Sequence, residues 1–304
     1  METPVESPQV TGDPPVEVAG EAEAAVVPLH VLDTDVDVVV SGPGATEFAR
    51  TVAQRWHLAV AELAGGADGA AAGAEGSGSE ASKGEVASVE VELGGTAQGP
   101  PDGVLRGTDE RAVLQRLTQE VTRTAIRART GDLLMLHAGA LAHPATGAAV
   151  VLVAPGGTGK STACRVLGPE RAYLTDETVG IRRDGTIAPY LKPISTRRPD
   201  WGGVKDEVAP SELGLVAPTV PVRPAGIVLL RREDGREGAP EVTPLDTLEA
   251  LTALAPESSG FMNTERPLTW LAELLEATGG AVRVTYGGAE DLVPLVDEIC
   301  GRLS

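Results

Sequence analysis

The amino-acid sequence predicts an α/β protein, and three features lead to that class. Several short segments either alternate apolar and polar residues or are continuously apolar, which are the patterns of half-buried and fully buried strands. Between them lie segments with apolar residues three and four positions apart, the period of a helix. A glycine-rich segment, 154–162, follows an apolar run and precedes a helical segment. Strand, turn and helix in that order are a building unit of α/β sheets.

Composition and charge exclude several classes of partner. Of the 304 residues, 42% are hydrophobic and only 3% are aromatic, so aliphatic side chains have to build the core. The net charge of −19 opposes binding to phosphate backbones and anionic lipids, and we expect neither nucleic acid nor a membrane as a partner. The sequence has no secretory signal pattern and no apolar run of the roughly 18–20 residues that span a bilayer. We therefore expect a cytoplasmic location.

Two segments lack an apolar face and are predicted to be disordered. Residues 1–26 carry six acidic residues and no basic one, so nothing in them offsets the entropy lost on ordering. Residues 65–85 have the Gly, Ala and Ser composition of a flexible linker. The predicted organisation is an acidic tail over 1–26, an N-terminal α/β portion over 27–130 that contains the linker, and a larger domain over 131–304.

Sequence patterns also predict the elements of both parts. In the N-terminal portion they are strands at 36–40 and 86–93 and helices at 45–59 and 109–127. In the larger domain the predicted strands are 133–141, 148–154, 226–230 and 282–286, with a hairpin of 179–181 and 187–190 around Asp184-Gly185. The predicted helices there are one through Leu254 with Thr243 as its cap and Pro244 in its first turn, 268–277, and 292–303 with Pro294 in its first turn.

The segment Ala154-Pro-Gly-Gly-Thr-Gly-Lys-Ser-Thr162 carries the strongest functional signal, because it has the context of a phosphate-binding P-loop. Its glycines let backbone N–H groups approach a phosphate closely, and the following helix adds its positive dipole end. In such a loop the lysine reaches the β- and γ-phosphates and the hydroxyl ligates Mg²⁺. Ala154 departs from the pattern, which begins with glycine. The predicted nucleotide-binding residues are Gly156, Gly157, Thr158, Gly159, Lys160, Ser161 and Thr162.

Two further segments place chemistry-bearing residues around this loop. His137 lies on an apolar strand before it, and Asp176 and Glu177 follow a short apolar run after it. Alone, such a histidine is typical of a core and such an acidic pair is typical of a solvated turn. Next to Mg-ATP, however, two carboxylates can divide the work, since one can hold the metal while the other orients or deprotonates a nucleophile. We expect the strand that ends at Leu174 to run beside the P-loop strand.

The order LHAGAL, APGGTGKST and YLTDETVGI resembles the HPr kinase/phosphorylase family and its relatives with the PEP-carboxykinase-like P-loop fold. The resemblance covers about residues 131–300 and implies an ATP-dependent kinase that uses Mg²⁺ and phosphorylates a hydroxyl. It implies that Asp176 activates the acceptor hydroxyl, with His137 close to it, and that Glu177 binds the metal. By the same resemblance, Lys160 clamps the phosphates and Ser161 ligates magnesium.

This chain departs from the family at several points. The usual Asp-Asp pair is Asp-Glu here, and the later glycine- and arginine-rich segments have no clear match, so HPr itself is not the expected substrate. The chain is more similar to divergent members that accompany peptide modification, which implies a peptide, protein or small-molecule acceptor. A homo-oligomer is possible in either case. The basic segment with Lys192, Arg197 and Arg198 is either a site for a substrate anion or an exposed loop.

Two other functions remain open from the sequence. The first is a nucleotide-dependent switch or scaffold that binds ATP in a peptide-modification pathway without phosphoryl transfer. The second is a general P-loop NTPase, but that class needs an apolar strand that ends in Asp or a signature helix. The candidate strand 227–230 runs into Arg231-Arg232 instead.

Overall fold

The computed structural model describes residues 17–19, 24–61, 86–94 and 103–301. The predicted linker 65–85 and most of the predicted tail lie outside these ranges, so their disorder stays a prediction. The tail prediction is wrong at its end, because β1 (Glu17–Ala19) and β2 (Ala24–Val31) are strands that pair with each other. The lack of an apolar face did not exclude a strand here, because hydrogen bonds to a neighbouring strand stabilise a short strand whatever its composition.

A five-stranded sheet with two helices forms the N-terminal portion. Its remaining elements are β3 (Thr34–Ser41), α1 (Ala45–Arg55), β4 (Ala87–Leu93), β5 (Leu105–Gly107) and α2 (Glu110–Arg129). The strands follow their sequence order, antiparallel from β1 to β3 and parallel from β3 to β5. The predicted strands and helices are confirmed, although α1 ends at Arg55 rather than at residue 59. The Asp109 side chain caps α2 by accepting a hydrogen bond from the Arg111 amide.

Three further sheets form the larger part. The elements are β6 (Leu134–Leu136), β7 (Ala138–Ala142), β8 (Ala148–Val153), α3 (Lys160–Leu167), β9 (Ala172–Thr175), β10 (Val179–Ile181), β11 (Ile187–Ala188), β12 (Ile194–Arg197), β13 (Lys205–Val208), β14 (Arg223–Arg232), β15 (Glu241–Leu245), α4 (Thr247–Leu254), β16 (Ser258–Ser259), α5 (Pro267–Ala277), β17 (Ala281–Tyr286) and α6 (Val293–Cys300). The central six-stranded sheet has the order β15-β17-β14-β8-β7-β9, a second sheet has the order β11-β10-β6-β16, and β12 and β13 form a hairpin. No helix in the described ranges is both long and apolar enough to cross a membrane.

The predicted strand 133–141 is instead two strands in two different sheets. β6 pairs with β10 and β16, whereas β7 pairs with β8 and β9, and His137 lies at the break between them. A continuous apolar run shows that a segment is buried, but it does not show which neighbour each residue pairs with. The chain therefore changes sheets at a residue that the sequence analysis placed inside one strand.

Two other predictions about the larger part are wrong. Thr243 and Pro244 do not open a helix but lie in β15, the edge strand of the central sheet, where a proline is tolerated. The helix begins after Asp246, which forms a capping box with Glu249. The strand that contains Leu174 is β9, and β7 separates it from the P-loop strand β8.

The N-terminal portion packs against the larger part through a few specific contacts. Asp33 forms two hydrogen bonds with the Arg182 guanidinium, of 2.5 and 2.6 Å. The Tyr190 hydroxyl lies 2.6 Å from the Thr122 hydroxyl of α2, and the Tyr190 ring lies 6.2 Å from the Trp56 ring. One continuous hydrophobic cluster contains buried residues from both parts. The predicted domain boundary at residue 130 stays a prediction, but α2 belongs to the packing of both parts.

We expect the Asp33–Arg182 pair to contribute measurably to the stability of the folded protein. Asp33 has a left-handed backbone conformation (φ 55°), which asparagine also tolerates, so Asp33→Asn removes the charge without new backbone strain. We expect a loss of about 1–2 kcal/mol in the free energy of unfolding, measured by urea denaturation. The matched control is Asp35→Asn, because Asp35 forms only an exposed pair with His30 and should change the free energy by less than about 0.5 kcal/mol. Equal losses in both variants would contradict this role.

Candidate active site

The site lies where the chain passes between two sheets twice, side by side. The first passage is at His137, between β6 and β7. The second is at Asp176 and Glu177, between β9 and β10. The Ala138 amide donates a 3.0 Å hydrogen bond to the Glu177 carbonyl and so ties the two passages together. Side chains at such breaks are not fixed by the pairing of strands, and they can face the end of β8, where the P-loop begins.

The loop between β8 and α3 has the geometry of a phosphate cradle. Gly157 and Gly159 have φ angles of 85° and 106°, which other residues rarely adopt. A Cβ on Gly157 would meet nothing within 4 Å, so its side of the loop is open. The Lys160 ammonium donates hydrogen bonds to the carbonyl oxygens of Ala154 and Pro155. The lysine therefore closes back on its own loop, within reach of an anion bound there.

A buried ion pair stands next to this loop. The Asp176 Oδ1 lies 2.8 Å from the Lys192 Nζ, and both side chains are at most 2% exposed. Asp176 also accepts a 3.2 Å hydrogen bond from the Tyr173 hydroxyl. Burial alone would raise the pKa of Asp176, but the Lys192 ammonium, together with the nearby Ser161 and Tyr173 hydroxyls, holds it below its ordinary value. Asp176 is thus an ionised carboxylate close to Ser161, the predicted metal-binding hydroxyl.

Lys192 is the main site residue whose place the sequence analysis missed. Both of the earlier interpretations placed it on an accessible surface, yet it is 1% exposed and contacts both carboxylates, with 3.3 Å to the Glu177 Oε2. Burial alone would lower the pKa of Lys192, but Asp176 and Glu177 raise it well above its ordinary value, so the lysine stays charged. One signal was available in the sequence. Lysine occurs four times in the chain, and two of these lysines, Lys160 and Lys192, lie near the predicted motifs.

His137 faces the same cleft and pairs with a residue that the sequence analysis did not single out. Its Nδ1 lies 3.4 Å from the Glu257 Oε2, and its backbone N–H donates to the Glu257 carbonyl. Burial, followed by the nearby Lys160 ammonium, lowers the pKa of His137, so the ring is neutral at pH 7. Burial also lowers the pKa of Lys160, against the opposing effect of the surrounding carboxylates.

These residues surround one cleft of about 520 Å³. Almost all of the predicted site residues line it: His137, Gly156, Gly157, Gly159, Lys160, Ser161, Thr162, Asp176 and Glu177. Thr158 does not line it, because its hydroxyl donates to the Pro155 carbonyl. Helix α2 of the N-terminal portion and the β12–β13 hairpin form the far wall. Arg197 lines that wall, whereas Arg198 binds Asp206 at 2.7 Å and points elsewhere.

The donor set at the P-loop fits a magnesium ion that is shared with phosphates. Ser161 and Asp176 offer adjacent hard oxygen ligands, and Mg²⁺ is usually held by one or two carboxylates together with phosphate oxygens. Within the described ranges, no group of three or more His, Cys, Asp or Glu side chains forms a cage for a metal. The roles that the resemblance gives to Asp176 and Glu177 stay predictions.

The sequence was compared with family models, with curated proteins and with solved structures. No family model matches the sequence, and no curated protein matches it. Among solved structures, the chain is similar to the Hpr(Ser) kinase/phosphatase from Coxiella burnetii, with 11% sequence identity and a TM-score of 0.27. The match covers 54% of this chain and 92% of the other. This similarity is low, and the functional proposal therefore depends on the residues of the cleft.

A further carboxyl group, Glu207, lies behind the cleft. It is 2% exposed and accepts a 2.8 Å hydrogen bond from the Ser195 hydroxyl of β12. Burial raises the pKa of Glu207 to about 7, although Lys192 and Ser195 act in the opposite direction. Around neutral pH this carboxyl group therefore changes its charge close to the Lys192–Asp176 pair.

Because its pKa is raised, Glu207 should make the folded protein less stable as the pH rises. The folded state holds the Glu207 proton more tightly than the unfolded chain, where the pKa is near 4.5. Its stabilising contribution is complete below about pH 4.5 and is lost as the pH rises through 7. The free energy of unfolding of the parent, relative to Glu207→Gln, should therefore fall by up to about 3 kcal/mol between pH 5 and pH 8. Urea denaturation of both proteins at four pH values measures this difference in the free energy of unfolding. A difference that does not change with pH would contradict the raised pKa of Glu207.

Proposed function

We propose that this protein is an ATP-dependent kinase that transfers the γ-phosphate to a hydroxyl group with the help of Mg²⁺. The observation that carries the proposal is the ionised Asp176 next to Ser161 of the P-loop, with Glu177 beside it on the same cleft. A glycine-rich loop alone supports only phosphate binding. A carboxylate at the magnesium-binding hydroxyl and a second one facing the cleft supply the two groups that phosphoryl transfer to a hydroxyl needs.

We assign the metal side of the site to Ser161 and Asp176. Asp176 lies next to the hydroxyl that holds magnesium in P-loops, and its lowered pKa makes it a weak proton acceptor but a good ligand. When bound, magnesium neutralises charge on the β- and γ-phosphate oxygens. Lys192 keeps Asp176 ionised and fixes its position. This assignment exchanges the roles that the resemblance implies for Asp176 and Glu177.

We assign the proton-accepting role to Glu177. Its side chain is 38% exposed and lines the cleft, so an acceptor hydroxyl can reach it. Lys160 would leave the loop carbonyls to contact the β- and γ-phosphates, a move that exchanges weak neutral contacts for charged ones. The neutral His137, next to Gly156 at the start of the loop, is available as a hydrogen-bond partner at the γ-phosphate end.

Nucleotide binding is the first expected result. Lys160→Ala removes the cation at the β- and γ-phosphates, and we expect the affinity for Mg-ATP to fall at least about tenfold in calorimetry. Arg50→Ala is the matched control, since Arg50 is exposed on α1 and lines no part of the cleft, and it should bind as the parent does. Unchanged affinity in Lys160→Ala would overturn the P-loop interpretation.

The two carboxylates should respond differently to loss of charge. We expect Glu177→Gln to reduce phosphate transfer by about 10²–10⁴-fold while Mg-ATP binding survives. Asp176→Asn should instead raise the magnesium concentration needed for activity, with its folded state checked by thermal unfolding because it breaks a buried ion pair. Glu233→Gln is the control, since Glu233 is equally exposed and pairs with Arg231 away from the cleft.

Three outcomes of these experiments would change the proposal. If Asp176→Asn abolishes transfer at saturating magnesium while added magnesium restores Glu177→Gln, the roles implied by the resemblance are correct. If neither variant affects transfer, the kinase proposal is wrong. Binding of ATP without transfer to any acceptor would favour a nucleotide-dependent switch or scaffold.

A further inference from the structure

The far wall of the cleft carries positive charge that the nucleotide site does not use. Six cationic side chains line the cleft against only two carboxylates, in a chain whose net charge is −19. Two of the six belong to the site already described, since Lys160 serves the P-loop and Lys192 pairs with Asp176. Arg232 pairs with Asp234. A local excess of positive charge in so acidic a chain favours an anionic ligand.

The other three cations form no ion pair within the described residues. They are Arg165 on α3, Arg197 at the end of β12 and Lys205 at the start of β13. Arg197 and Lys205 face each other across the hairpin in register, so their side chains extend from neighbouring positions. Other arginines in the same region are neutralised, as Arg198 is by Asp206. The unpaired cations are therefore a property of the cleft wall and not of the hairpin as a whole.

Two glutamines add neutral polar groups to the same wall. Gln115 and Gln119, one turn apart on α2, line the cleft beside the hairpin. Gln115 already accepts a 3.0 Å hydrogen bond from the Lys205 amide, which fixes the hairpin against α2. These side-chain amides offer neutral hydrogen-bonding groups close to the unpaired cations of the hairpin.

The position of this wall relates it to the acceptor and not to the nucleotide. In the proposed function, the backbone N–H groups of residues 156–160 bind the phosphates at one end of the cleft. The Asp176–Lys192 pair separates that loop from the strand that begins at Ile194. A molecule on the hairpin would therefore present its hydroxyl to Glu177 from the side away from the P-loop. This step rests on the proposed kinase function.

We propose that the acceptor is an anionic molecule, with a carboxylate or phosphate near its hydroxyl, and that Arg197 and Lys205 bind that anion. The shared chemistry is an anionic group held a short distance from the phosphorylated hydroxyl. An acidic peptide with a serine and a small hydroxy acid both have it. The cations act on affinity and orientation for the acceptor and take no part in the transfer itself.

Binding of defined probes to the full chain in the presence of Mg-ADP tests the proposal. The peptide probes are three ten-residue peptides with a central serine flanked by Glu, by Gln or by Lys, and the small probes are glycerate and 3-phosphoglycerate. We expect the Glu peptide or one of the small acids to bind at least about tenfold more tightly than the Gln peptide, and the Lys peptide not to bind. The binding should weaken with salt because it is electrostatic. Which probe binds distinguishes a peptide acceptor from a small one.

Matched variants distinguish this surface from general electrostatics. Arg197→Gln with Lys205→Gln should abolish the preference for anionic probes and leave the affinity for Mg-ADP within about twofold. Arg198→Gln should keep the preference, because Arg198 is neutralised by Asp206 and lies outside the cleft. Thermal unfolding of each variant checks the fold.

Each remaining result overturns the inference in a separate way. Failure of every anionic probe to bind, or a preference that survives the double variant, excludes this anion site. A loss of Mg-ADP affinity in the double variant would assign these cations to the nucleotide instead. In all three cases the kinase proposal is tested separately, because wild-type Mg-ATP binding and the Lys160→Ala variant do not depend on the hairpin.

Discussion

The buried pair of Lys192 and Asp176 is the interaction on which the candidate site depends. Two charges that are almost fully removed from water are stable only if they stay paired and hydrogen-bonded, and here the Tyr173 hydroxyl and the Pro193 carbonyl supply further hydrogen bonds. The pair joins elements that are distant in sequence: the P-loop helix, the passage between β9 and β10, and the strand that leads into the hairpin. Its geometry therefore sets the distance between the phosphate cradle and the far wall of the cleft.

The passages between sheets explain why this pair can exist at all. Inside a sheet, alternate side chains enter one core or the other, and a charged residue would be buried without partners. At the breaks after β6 and β9 the backbone leaves one sheet and enters the next, and the side chains there turn toward the P-loop. The N-terminal portion completes the arrangement, because α2 packs against β13 and lines the cleft opposite the P-loop. The N-terminal portion thus contributes directly to the site.

The sequence predicted the α/β class, most elements and the P-loop side of the cleft, because these depend on local periodicity and on the P-loop motif. It failed where non-local pairing decides. The apolar run of 133–141 gives no sign that the chain changes sheets at His137. The sequence also does not show that β7 lies between β8 and β9. Pro244 has the local signature of a helix start, yet its pairing with β17 makes it part of an edge strand. The burial of Lys192 was hidden for the same reason, since its two carboxylate partners lie 15 and 16 positions earlier.

The central claim is that the cleft transfers phosphate to a hydroxyl and does more than bind or hydrolyse ATP. The most direct measurement is the fate of the γ-phosphate of labelled ATP, incubated with the protein, magnesium and an anionic hydroxyl-bearing acceptor. The account predicts that the label appears on the acceptor as a phosphate ester, in proportion to the ADP formed. Label that appears only as inorganic phosphate, or ATP that is bound but not consumed, would contradict it.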